Sequence, residues 1–171
     1  MSRSMMLPEL RALLAAVPAD ADRTQYRTAI VEANVLGKPT FSSRRKAEKH
    51  LYELYGLDPA MALFRNLRRF AAEDADSLPL LALACAFCRD AQLRASFSLI
   101  EDLKPGEVLP RERMEAHLEA AFPEQYSDAM RVALAQNVNT TWTAAGHLKG
   151  RAVKRRAIPQ PRVAASAYAM L

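Results

Sequence analysis

The chain has 171 residues, half of them apolar and a quarter charged, with only 5 glycines and 7% aromatics, an ordinary soluble composition that favours helix over sheet. No run approaches the ~20 apolar residues that span a bilayer, and Pro8, Glu9 and Arg11 interrupt any apolar leader core, so a cytoplasmic protein with no membrane partner is expected. The net charge of +5 is uneven: residues 129–171 hold seven cations and no acid, whereas residues 1–128 hold 17 cations against 19 acids, and such a concentration of positive charge draws polyanions.

Helices are predicted in succession. Leu7 to Val17 reads as a short first helix with Pro8 in its opening turn, and Thr24 to Leu36 as a second, stopped by Gly37, Lys38 and Pro39. Ser42 or Ser43 is expected to cap a third, which ends at Tyr55 before Gly56 and carries Arg44, Arg45, Lys46 and Lys49 in its first half. Those cations sit at the end where the helix dipole disfavours them, so a phosphate would explain them as well as a solvated face does.

Asp58-Pro59 predicts a helix to about Ala72 with Arg65, Arg68 and Arg69 outward. Ser77 is expected to cap an apolar helix from Leu80 to Cys88, and Asp90 another through Leu103. Cys85 and Cys88 form a C-x-x-C with no further ligands at metal spacing, and inside an apolar helix they read as small buried hydrophobes. A helix around Met114, Leu118 and Phe122 closes at Pro123.

The most periodic segment runs from Ser127 to Leu148, with Met130, Leu134, Val138, Thr141 and Ala145 on one side beside Trp142. Arg131, Gln136, Asn139, Thr140, Thr143 and His147 are expected on its exposed side, with Gly146 or Gly150 as terminator. Lys149 to Arg162 then reads as a basic extended loop or hairpin, because Pro159 and Pro161 exclude helix, and a last helix begins at Val163. The expected fold is all-α, a compact multi-helix bundle with a basic extended loop or small wing near the C-terminus. A helical domain over 1–123 and a second part over 124–171 are expected, packed together or forming one globular unit.

A polar helix face followed by a basic, proline-stiffened loop resembles a helix-plus-wing arrangement for DNA. Lys149, Arg151, Lys154, Arg155, Arg156 and Arg162 would neutralise phosphates, while Asn139, Thr140, Thr143 or His147 would reach base edges or backbone. Arg44, Arg45, Lys46 and Lys49 form a second candidate patch. Catalysis finds no support: Walker, G-x-G-x-x-G and G-x-S-x-G motifs are absent, and His50, His117 and His147 stand far apart. No metal site, cofactor or enzymatic activity is expected.

The run from Ile30 to Lys38, then Thr40, Ser43, Arg44 and Arg45, and Leu51 to Tyr55, resembles the BrxA family of bacterial BREX phage-defence systems. Leu63 to Leu67, Ala86 to Asp90 and Gly146 to Gly150 continue the likeness, which spans most of residues 24–171. Family members usually extend further, which fits the abrupt end at Leu171. Where the family offers a Trp-Ser and a later Ser/Thr, this chain has Gln125, Tyr126, Ser127 and Ala129, so nothing at those positions carries over. The resemblance implies a mainly helical, non-enzymatic component similar to the NusB antitermination fold, with double-stranded DNA as its ligand and other BREX proteins as further partners. A scaffold docking on an acidic partner is the alternative. RNA ranks lower, since few aromatics accompany the basic clusters.

Overall fold

Short polar side chains set where the helices begin. The Asp22 carboxylate accepts a hydrogen bond from the Gln25 amide at 2.8 Å and the Gln25 side-chain oxygen accepts one from the Asp22 amide, a reciprocal cap that opens α2 (Arg23–Val31). Thr40 and Ser43 form the same box ahead of α3 (Phe41–Tyr55), so Thr40, and neither Ser42 nor Ser43, is the cap. Asp90 caps α6 (Ala91–Ala95) and Ser127 caps α9 (Asp128–Ala144). The remaining helices are α1 (Leu7–Ala16), α4 (Ala62–Glu73), α5 (Leu78–Arg89), α7 (Phe97–Asp102), α8 (Arg111–Ala121) and α10 (Val163–Ala169). This computed structural model describes residues 3–171, and the chain is mainly helical with one small sheet.

The chain divides into two compact units. One holds Met6–Cys85 with Pro161–Leu171; the other holds Ala86–Gln160 with residues 3–5. In the helical unit, Leu10, Leu13, Tyr26, Ile30, Leu51, Tyr55, Phe64, Leu67 and Leu81 are fully buried. Tyr26 meets Phe64 edge-on at 5.2 Å, and α10 packs on α4, where the Tyr168 hydroxyl donates to the Leu63 carbonyl at 2.9 Å. In the other unit, α8 and α9 pack together over Met114, Leu118, Leu134, Val138 and Trp142. Three strands lie beside them, β1 (Val108–Leu109), β2 (Leu148–Lys149) and β3 (Lys154–Arg156), in the antiparallel order β1-β3-β2.

Several local expectations are corrected. The second helix ends at Val31 and not at Leu36, because Asn34 takes a left-handed conformation and its carboxamide bonds both the amide and carbonyl of Lys38. Asp58 caps a single turn through the Ala60 amide, and the helix itself starts at Ala62. The helix expected after Asp90 is broken at Ser96 into α6 and α7. Cys85 is buried as expected, but Cys88 is exposed. Among the described residues no helix is long and apolar enough to cross a membrane, and no group of His, Cys, Asp or Glu could hold a metal ion.

Candidate nucleic-acid interface

The basic segment follows directly from the way α9 ends. Gly146 adopts φ +82 and the His147 amide closes back on the Trp142 carbonyl at 2.9 Å, which turns the chain out of the helix and into β2. At Gly150 the chain reverses with φ +100, where a Cβ would stand 2.1 Å from the Val153 carbonyl oxygen. Only glycine fits there. The chain returns as β3, and β1 adds to its free edge, so the expected basic loop is a hairpin inside a three-stranded sheet.

The register sorts the hairpin cations. Val108, Arg155 and Lys149 lie in one row across the three strands, while Leu109 is opposite Lys154 and Leu148 is opposite Arg156. Since Leu109 and Leu148 are buried, their row faces the core, and the alkyl stems of Lys154 and Arg156 lie on that face. Lys154 donates to the Gly150 carbonyl at 2.7 Å, and partial burial lowers its pKa. Arg156 donates to the carbonyls of His147, at 3.2 Å, and Ala157. These two cations brace the hairpin. Lys149, Arg151 and Arg155 are exposed, and among the described residues their one side-chain hydrogen bond is from Arg155 to the Gly106 carbonyl at 3.3 Å. Among the described residues, none of the five hairpin cations has a carboxylate partner.

The rest of the C-terminal positive charge is neutralised locally. Arg131 pairs with Glu119 at 2.7 Å and with Asp128. Arg162 belongs to the helical unit, where it bonds Asp74 at 2.7 Å and Asp76 at 3.1 Å. Its partners are thus acids of its own unit, and the hairpin belongs to the other.

The polar side of α9 is smaller than its sequence suggests. Asn139 is buried, and Thr143 donates to the Asn139 carbonyl at 2.7 Å. The His147 ring packs edge-on to Trp142 at 5.1 Å; burial, reinforced by the neighbouring Arg156 charge, lowers its pKa to about 4, so it is neutral at pH 7. Gln136 and Thr140 remain exposed, whereas Met130, expected inside, is 57% exposed.

The second patch lies at the start of α3. Arg44 turns away and donates to the Val31 carbonyl at 3.3 Å, at the C-terminal end of α2. Lys49 approaches Glu53 at 3.8 Å. Arg45 and Lys46 are exposed and share a shallow groove with Phe41 and with Arg27, a cation delivered from another helix and so not visible in the local charge pattern. Arg68, expected outward, instead bonds the Tyr26 hydroxyl and the carbonyls of Leu14 and Val17, tying α4 to the end of α1.

No family model matches the chain, and comparison with curated proteins finds no match.

Proposed function

We propose that this protein binds double-stranded DNA through its phosphates, with the β2–β3 hairpin as a wing beside α9. The observation that carries this reading is the exposed trio Lys149, Arg151 and Arg155, held on a paired hairpin and, among the described residues, forming no ion pair with a carboxylate. Elsewhere in the chain exposed cations are commonly paired with acids, as at Arg69–Glu73, Arg111–Glu115 and Arg113–Glu107. Unneutralised like charge on one ribbon matches a phosphate backbone. The patch of Arg27, Arg45 and Lys46 offers a second set of free cations. The resemblance to the BrxA family supports the same reading: a non-enzymatic cytoplasmic component of a phage-defence system, working with other BREX proteins. Duplex DNA ranks above RNA because the hairpin, Leu148 to Arg156, contains no aromatic residue on which bases could stack.

The test is fluorescence anisotropy with a labelled random duplex at several salt concentrations. Three phosphate contacts would give a log–log salt slope of about −2.7. The combined reversal K149E/R151E/R155E should abolish binding to every sequence alike, and undiminished affinity would remove the hairpin from the proposal.

A protein-scaffold reading has one observation in its favour. In the helical unit, Leu14, Phe64 and Leu78 line an apolar groove of about 450 Å³ rimmed by Arg11, Arg65 and Arg69. An acidic amphipathic segment suits such a surface. A partner retained after nuclease treatment and lost on A72E would put this reading first.

A further inference from the structure

Beside the hairpin lies an open groove of about 690 Å³, within the size range of small-molecule sites. Its walls come from three places in the same unit: the turn with Arg151, Val153 and Lys154, the β1–α8 corner with Val108 and the Arg111–Glu112 ion pair, and α9 with Gln136, Asn139 and Thr140. Asn139 is the unusual member. It is only 5% exposed, yet its side-chain oxygen is buried without a hydrogen-bond partner. A buried carboxamide left unpaired is disfavoured, and an apolar side chain would stabilise the position better. Three residues earlier, one turn back on the same helix, exposed Gln136 presents a second carboxamide with no side-chain hydrogen bond among the described residues. Thr140 is spent on the Gln136 carbonyl at 2.7 Å.

Two carboxamides without side-chain partners on one helix, an exposed guanidinium and exposed Val108 and Val153 lining the same groove suit a particular ligand. Carboxamides pair bidentately with the N6 and N7 edge of adenine, valines cover the faces of a planar ring, and Arg151 suits the attached phosphate. We infer that this groove binds one unstacked adenine nucleotide, through Asn139 and Gln136 at the base and Arg151 at the phosphate. The inference rests on the DNA-binding reading for its source of ligand: an adenine turned out of a duplex whose backbone the hairpin holds. A free adenine nucleotide would satisfy the same chemistry.

The experiment separates these sources. Full-length protein is titrated with a paired duplex, with the same duplex carrying one bulged adenine, and with adenosine monophosphate. The bulged duplex should bind at least ten-fold more tightly than the paired one. Asn139→Leu should remove that gain and leave paired-duplex affinity unchanged; exposed Gln136→Ala, which threatens no core packing, should reduce the gain severalfold. Binding of adenosine monophosphate that depends on Asn139 and Gln136, without a bulge preference, would assign the groove to free nucleotide. Equal affinity for both duplexes together with no such dependence for adenosine monophosphate overturns the groove and leaves the hairpin reading standing. Absence of binding to either duplex, with adenosine monophosphate bound through Asn139, overturns the hairpin reading and keeps the groove.

Discussion

Lys149 and Arg155 stand directly opposite one another on antiparallel strands, both exposed and neither facing a carboxylate. Like charges in that register are destabilising, whereas the same sheet pairs its inward residues with buried leucines. The arrangement favours an anionic ligand at the expense of the free protein. Lys149→Thr should therefore raise stability by about 0.5 kcal/mol, within the range of cross-strand pair energies. The same substitution should weaken duplex binding and reduce the salt slope by about 0.9. Denaturant titration and anisotropy on one sample read both effects; a loss of stability would show that the pair is not repulsive.

The hairpin turn depends on Gly150. Gly150→Ala places a Cβ against the Val153 carbonyl and demands φ +100 of a residue with a side chain, so the turn must open. The expected cost is at least about 2 kcal/mol, with loss of duplex binding. Gly106 has φ +83 but open space around it, and Gly106→Ala should cost only about 1 kcal/mol. Thermal unfolding of the two variants side by side checks the difference, since equal losses would mean that backbone strain alone matters.

The helices were legible because their caps and stops are local. Asp90, Gly56 and Gly146 act within one turn of themselves, whereas the apolar spacing that ran on to Leu148 overshoots α9, which stops at Ala144 and leaves Leu148 to β2. What the sequence hid was where long side chains go. Arg44, Arg68 and Arg156 look like surface cations in one dimension, but each finds backbone carbonyls that the folded chain delivers from elsewhere. The sheet was half legible: two prolines excluded helix and left an extended loop or hairpin, with Gly150 read only as a helix terminator, and nothing local predicts that Val108 and Leu109 would join it. Asn139 read as exposed because α9 is covered on two sides, Leu134 and Val138 on one and Ala135 and Trp142 on the other, and periodicity alone described one stripe.

Ser96 breaks the helix after Asp90 and at the same time holds the core. It is fully buried, donates to the Leu93 carbonyl at 2.7 Å and accepts from the Trp142 indole at 2.8 Å. Ser96→Ala leaves the indole N–H buried without an acceptor, which should cost about 1–3 kcal/mol. Trp142 is the single tryptophan, so its fluorescence follows the transition directly. An unchanged denaturation midpoint would mean that the indole finds another acceptor.

Arg162 belongs to the basic segment in sequence but not in structure. Its guanidinium joins Asp74 and Asp76, and Asp74 is held below its ordinary carboxylate range first by the Ser77 hydroxyl and then by Arg162. Arg162→Ala should leave duplex affinity and the salt slope as they are, in contrast to Lys149, Arg151 and Arg155. A drop in slope of about 0.9 would return Arg162 to the binding surface.

His147 sets the pH response of the hairpin's base. Its pKa falls from 6.5 to about 4, mainly through burial and further through the adjacent Arg156 charge. Between those values the unfolded chain binds a proton that the folded chain refuses, so stability rises with pH across the window. The contribution is complete above pH 6.5 and is lost as the pH falls towards 4. Lysine and arginine neighbours do not titrate there, and Asp74, Glu107 and Glu119, held low by hydrogen bonds, release their contributions only at lower pH. His147→Gln should flatten the decline in unfolding free energy between pH 6.5 and 4. Because the ring is neutral at pH 7, the same substitution should not change the salt slope of duplex binding there. An equally steep decline in the variant would assign the acid sensitivity to another group.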